Sequence, residues 1–229
     1  MIYITGDKHG IYNDVVSFCD SNNTSTDDIL IILGDAGINY FLDERDIVLK
    51  KKLSNLPITL FCIHGNHEER AFNIKSYVNK YFCNGIVYYE KEYPNILFAV
   101  DGEVYSFDNK KTLVIGGAYS VDKEYRLSRG YSWFSSEQPD NVIKNKIRNL
   151  LKSDNNIDVV LSHTCPYKYM PKEAFLEGIN QNSVDNTTEE FLEEIEGIMC
   201  YKKWYCGHYH IDKEINKIKF MFNEIKNFE

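Results

Sequence analysis

Short apolar runs alternate with longer amphipathic stretches over the first third of the chain. Residues 1–4 form a short apolar segment, and 29–33 and 58–63 are continuous apolar runs, as in strands buried on both faces. Residues 13–19, with Val15, Val16 and Phe18 as apolar positions, and 43–56, closed by Pro57, predict helices between them. A further helix is expected after His67, where Glu68, Glu69 and Arg70 are good helix formers. The pattern changes after Tyr81. Runs at 86–89, 96–100, 103–107 and 112–115 are short and close together, which predicts strands joined by hairpins. Residues 139–152 predict a helix with Pro139 near its first turn, and 159–161 a strand. Thr187-x-x-Glu190 has the form of a capping box opening a helix to about Tyr201. A strand at 204–206 and a hairpin of 211–215 with 218–222 across Asn216-Lys217 complete the pattern. Two connections, 116–140 and 166–187, are long, and such loops are usually functional or mobile. There is no repeat and no low-complexity linker. The order predicts an α/β fold, a two-sheet β-sandwich flanked by helices, as a single domain over residues 1–229.

Composition narrows the class. At 229 residues, 43% hydrophobic and 26% charged, the chain can bury a core without disulfides or a structural zinc. Lys+Arg 26 against Asp+Glu 34 gives a net charge of −8, which disfavours extended duplex DNA as a partner and leaves room for a local phosphate site. No apolar run approaches the ~20 residues of a membrane span. The first residues lack the features of a secretory signal, so a soluble, cytoplasmic protein is expected. The six cysteines include no C-x-x-C spacing, and free thiols are expected.

Polar residues recur at the ends of the apolar runs. Asp7-x-His9 follows the first, Asp35 the second, Asn66-His67 the third, His163 a later one and His208-x-His210 another. Five of the six histidines fall in these positions. Ligands in α/β sheets sit beyond the carboxyl ends of strands, so five strand ends would each deliver an Asp, Asn or His to one edge. A mixed carboxylate, imidazole and amide set suits divalent Mn, Fe or Zn. Seven donors exceed the needs of one tetrahedral ion, and two ions sharing a carboxylate account for the surplus.

The series Gly6-Asp7-Lys8-His9-Gly10, Gly34-Asp35, Gly65-Asn66-His67-Glu68, His163 and Gly207-His208-Tyr209-His210 resembles the calcineurin-like metallophosphoesterase family. The resemblance runs in the family's order from residue 6 to residue 210. It implies that Asp7, His9 and His210 hold one metal, that Asn66, His163 and His208 hold the other, and that Asp35 bridges. It further implies hydrolysis by a metal-bridging hydroxide, with His67 protonating the leaving oxygen and Asn66 also touching a phosphate oxygen. Manganese is the first choice of metal, with Fe, Zn or Ni as alternatives. The implied substrate is a small phosphoester or nucleotide-like molecule, cleaved as a phosphodiester or as a phosphomonoester. The glycines before the donors are expected to permit sharp backbone turns. His64 lies outside the pattern and is expected to be structural. Glu68 is expected to support the donors or to carry a helix-start charge, and Lys50-Lys51-Lys52 to be a solvated helix face.

The protein phosphatases of this family continue the second motif as G-D-x-x-D-R-G, whereas this chain has Ile38 and Asn39 where that Asp and Arg would stand. The residue that orients His67 is therefore not evident, and a protein phosphatase of that type is disfavoured. Gly116 to Asp122 resembles a glycine-rich turn of some bacterial members, and Tyr119, Arg126 and Arg129 follow as candidates for substrate contact. Packing over the sheet edge fits these residues as well; two of the five arginines standing so close together favours phosphate. The alternatives to a small-molecule esterase are a non-catalytic metal-binding interaction module of the same fold and a nuclease acting on short single-stranded nucleic acid.

Overall fold

The computed structural model describes residues 1–229 and places two sheets face to face. The first contains β1 (Ile2–Thr5), β2 (Ile29–Ile32), β3 (Thr59–Cys62), β4 (Val78–Phe82), β5 (Gly85–Tyr89) and β6 (Ile96–Ala99), with β13 (Lys226–Asn227) at one edge. Its order is β13-β1-β2-β3-β6-β5-β4. The second contains β7 (Val104–Phe107), β8 (Lys110–Ile115), β9 (Val159–Ser162), β10 (Lys203–Cys206), β11 (Lys213–Ile215) and β12 (Ile218–Phe220). Its order is β11-β12-β10-β9-β8-β7. The strands that precede the donor residues are parallel within each sheet: β1, β2 and β3 in one, β9 and β10 in the other.

The continuous apolar runs have a direct cause, because each central strand is covered on both faces. Ile4, Ile31 and Phe61 meet Val114, Leu161 and Tyr205 between the sheets. On the outer face of the first sheet, Leu30, Ile32 and Leu60 pack against Val15 and Cys19 of α1 (Asn13–Asn22) and Leu53 of α2 (Glu44–Leu53). On the outer face of the second, Leu113, Val160 and Trp204 meet Ile147 and Leu151 of α4 (Asn141–Ser153) and Phe191 and Ile195 of α5 (Thr187–Glu196). Each fully buried Ile or Leu contributes about 1.5–3 kcal/mol by leaving water. No helix is long and apolar enough to cross a membrane.

Several local expectations are corrected. No α-helix follows His67, only a single 3-10 turn at Ala71–Asn73. The good helix formers are committed elsewhere: Glu68 Oε1 accepts from Gly65 N, Glu69 N donates to Asn39 O, and Arg70 pairs with Asp101. Tertiary contacts override propensity there. The 187–190 capping box does not form. Asn186 occupies the cap position, and Thr187 N donates to Asp185 Oδ1 at 3.0 Å. That helix stops at Glu196, before Gly197, rather than near Tyr201. The segment 116–140 contains a short helix, α3 (Lys123–Arg129), and strands β4 and β13 had no distinct signal. Lys50 is buried and pairs with Glu90 at 2.7 Å, so only Lys51 and Lys52 of the lysine run are solvated.

Candidate metal centre

The loops after β1, β2, β3, β9 and β10 carry seven donor side chains to one edge of the sandwich. Asp7 Oδ2 lies 3.1 Å from His210 Nε2 and 3.8 Å from His9 Nε2, and those two ring nitrogens are 2.9 Å apart. Asp35 Oδ2 lies 3.7 Å from His163 Nε2 and 3.7 Å from His67 Nε2. Asn66 Oδ1 lies 2.8 Å from His163 Nε2 and 3.1 Å from His208 Nδ1. Two groups of three could hold an ion as they stand: Asp7, His9 and His210, and Asp7, Asp35 and His163.

Outer contacts fix which atoms face inward. His163 Nδ1 donates to the Leu33 carbonyl at 2.7 Å, which leaves the Nε2 lone pair directed at the site. Asn66 Nδ2 donates to Ser120 Oγ at 2.9 Å, which turns the amide oxygen toward the two imidazoles. Asp35 Oδ1 accepts from His67 N at 2.8 Å, and Asp7 Oδ1 from His208 N at 3.0 Å. Each carboxylate thus spends one oxygen on backbone and keeps the other free. Asp7 Oδ2 is buried without a hydrogen bond. Lone pairs packed this closely repel one another unless a cation lies among them, so the residues fit a metal centre.

The carboxylates and imidazoles shift one another: the bond to Asp7 raises His210 against the lowering effect of burial. Burial alone would raise the Asp35 carboxyl, yet His67, His163 and His9 hold it well below the ordinary carboxylate range. Asp7 is lowered too, with burial opposing and His210 and His163 prevailing. Burial, reinforced by His163, pushes His208 down to about 3, so its ring is neutral and its lone pair available.

Of the glycines before the donors, Gly34 takes the expected left-handed turn, with φ 95°, and Gly6, Gly65 and Gly207 do not. Left-handed conformations fall on the donors themselves: φ is 46° at His9, 47° at Asp35, 67° at His208 and 51° at His210. Such conformations cost non-glycine residues of order 1 kcal/mol each and concentrate at functional sites. The glycines are needed for close approach. A Cβ at Gly65 would land on Asp35 Oδ1, and one at Gly207 on Asp7 Oδ1.

His67 stands beside the donors, with its side chain 18% exposed and its Nδ1 buried without a partner. No carboxylate orients it through Nδ1. Burial lowers its pKa, Asp35 pulls it back up, and the Arg126 guanidinium lowers it again. Arg126 is itself held in place: Nε donates to Asp122 Oδ2 at 2.8 Å, and Nη1 to Tyr40 Oη and Ser132 O, each at 3.1 Å. Arg126 and Tyr119 line the cavity in front of the donors. Arg129 does not; it is exposed, with its guanidinium over the Tyr125 ring. Ile38 is in the core, and Asn39 Oδ1 accepts from Tyr77 Oη, so neither stands in for the missing Asp and Arg. His64 lies apart, buried near the Ser136 carbonyl.

A second layer went unread in the sequence. Ser120 lies within the glycine-rich turn, but nothing local marks its contact with Asn66. Thr164, next to His163, donates to Glu189 Oε1 at 2.8 Å and lies 3.2 Å from Tyr209 Oη, between His208 and His210. Glu189 is 4% exposed, and burial raises its carboxyl from 4.5 to about 7, against the lowering Thr164 bond. A carboxyl raised in the folded state holds its proton longer than in the unfolded chain. Its stabilisation is therefore complete below about 4.5 and is lost as pH rises through about 7. The metal-free protein should lose up to about 3 kcal/mol over that interval. Glu189→Gln should flatten this slope in thermal melts, and an unchanged slope would discard the assignment.

A family model described as calcineurin-like phosphoesterase matches residues 1–212. The crystal structure of TT1561 of Thermus thermophilus superimposes with a TM-score of 0.52 at 12% identity, covering 96% of this chain and 87% of that one. At that identity the likeness concerns the fold alone. No curated protein matches the sequence.

Proposed function

The chain belongs to the calcineurin-like phosphoesterase family, a family of metal-dependent phosphoester hydrolases, and from that premise we propose that it hydrolyses a small phosphoester at a two-metal centre. The observation that carries this reading is the convergence of carboxylate, amide and imidazole donor atoms on two neighbouring positions. Asp7, His9 and His210 would hold one ion, Asn66, His163 and His208 the other, and Asp35 would serve both. Divalent cations bound there would neutralise the phosphoester and activate water for in-line attack. We assign manganese first, as a match to the mixed oxygen and imidazole donors.

The remaining work belongs to the chain. His67 stands at the edge of the donor set, where its Nε2 can give a proton to the departing oxygen. Its depressed pKa makes the imidazolium a stronger acid, and an anionic phosphate alongside favours charging the ring. Arg126 supplies a guanidinium already tied down on Nε and Nη1, and it takes the phosphate-gripping place that residue 39 leaves vacant. Asn66 combines metal ligation with contact to a phosphate oxygen, and Tyr119 closes the side of the cavity. One interior shared by both sheets supports residues 1–229 as a single domain, and six free cysteines support a reducing, cytoplasmic setting.

Arg126→Ala should raise KM about tenfold or more and change kcat less, because a charge-assisted contact to phosphate is lost. Arg129→Ala should change neither. Equal effects from the two would remove Arg126 from the site. The reading as a whole is tested by turnover of bis-p-nitrophenyl phosphate and p-nitrophenyl phosphate, with Mn²⁺ and with chelator. Metal-dependent hydrolysis of either supports it. Absence of turnover of both by metal-loaded protein overturns it in favour of a non-catalytic module.

A further inference from the structure

The cavity in front of the donors measures about 660 Å³, far more than a phosphate group fills. Its inner end is the donor cluster. Its outer part is a lobe walled by Met170, Phe175, Leu176, Ile179 and Val184 of the connection before α5, and by Ile211 after the last histidine pair. The Phe175 ring stacks on Tyr209 at 6.5 Å, so the apolar wall begins directly beside His208 and His210. Arg126, close to His67, is the one Lys or Arg lining the cavity, whereas Asp122 and Glu189 also line it. Its polar liners on that side, Gln181 and Asn186, are neutral amides, so a second phosphate in the lobe would meet amides and apolar carbon with no cation to pair it.

We propose that this lobe binds the alcohol portion of the substrate, and that this portion is uncharged and largely apolar, of the size of a fused aromatic ring. The proposal rests on the phosphoesterase reading above and deepens it. The scissile P–O bond joins the phosphate at the donors to an alcohol seated against Phe175, Leu176 and Ile179. Water's oxygen joins phosphorus, the P–O bond to that alcohol breaks, and the alcohol leaves with a proton. Polyphosphates, bisphosphorylated sugars and nucleic-acid strands are disfavoured, because each places further phosphates where the lobe offers no cation.

The test compares 1-naphthyl phosphate with glycerol 2-phosphate as substrates of the Mn²⁺-loaded protein, beside 1-naphthol fluorescence with the metal-free protein. Ile179→Asp is the variant; Ile179 lies in an irregular segment, outside the strands and helices. The expected results are a kcat/KM at least ~10-fold higher for the naphthyl ester and a loss of that advantage in Ile179→Asp, through a fall on the naphthyl ester larger than any on glycerol 2-phosphate. Naphthol should bind the wild-type protein and not the variant. Equal rates on the two esters, or an equal fall on both in the variant, would overturn the lobe assignment and leave the hydrolase intact. If neither monoester turns over, bis-p-nitrophenyl phosphate decides the hydrolase reading, and naphthol binding to the wild-type protein and not the variant decides whether the lobe takes an apolar ring.

Discussion

Asp35→Asn is expected to lose bound metal and turnover together, with activity falling by more than ~100-fold, the upper range for changes to mere outer partners of a metal. The side chain is 2% exposed and keeps its shape in the variant, so what changes is charge. One oxygen accepts from His67 N, and an asparagine carbonyl can still do that. The other lies 3.7 Å from both His163 and His67, and Asp7 is the only other carboxylate among the seven donors. Two divalent ions close together need a carboxylate between them to offset their repulsion. Replacing it by a neutral amide removes that offset where desolvation is already costly. Metal content of the purified variant, measured beside its activity and its thermal melt, checks the outcome. A folded Asp35→Asn protein that retains two equivalents of metal would exclude the shared role.

His67→Ala should separate what Asp35→Asn loses together. The ring stands at the edge of the site, and its Nδ1 binds nothing. Removing it takes away no donor from either ion, so metal content should match the wild type. Turnover should fall by about 10²–10⁴, the usual worth of a positioned proton donor. The fall should be smaller for a p-nitrophenyl ester, whose leaving oxygen needs little protonation, than for an alkyl ester. A uniform loss on both esters, or loss of metal, would show that the ring acts through the donor set instead of on the leaving group.

That these polar side chains meet at one edge was legible in the sequence because each sits within a few residues of a strand end, and strand ends show in apolar periodicity alone; the roles given to them came from the family resemblance. Asp7 and His9, Asp35, Asn66 and His67, His163, and His208 and His210 needed only that pattern and the rule that parallel strands present ligands at their carboxyl ends. The sandwich was legible for the same reason, since runs such as residues 29–33 are apolar throughout only when both faces are covered. The helix expected after His67 failed because Glu68, Glu69 and Arg70 make distant contacts that propensity does not record. The same blindness hid the contacts that orient the donors. Ser120 meets Asn66 across 54 positions, Tyr40 holds Arg126 across 86, and Glu189 reaches Thr164 across 25. It also hid the difference between Arg126, which faces the cavity, and Arg129, three residues on, which does not. The chain by itself thus determined which chemistry can assemble, because that is set by residue types at local spacing. Only the tertiary structure decided which lone pairs face inward and what surrounds them, because those depend on hydrogen bonds and packing between segments that meet only when both sheets close.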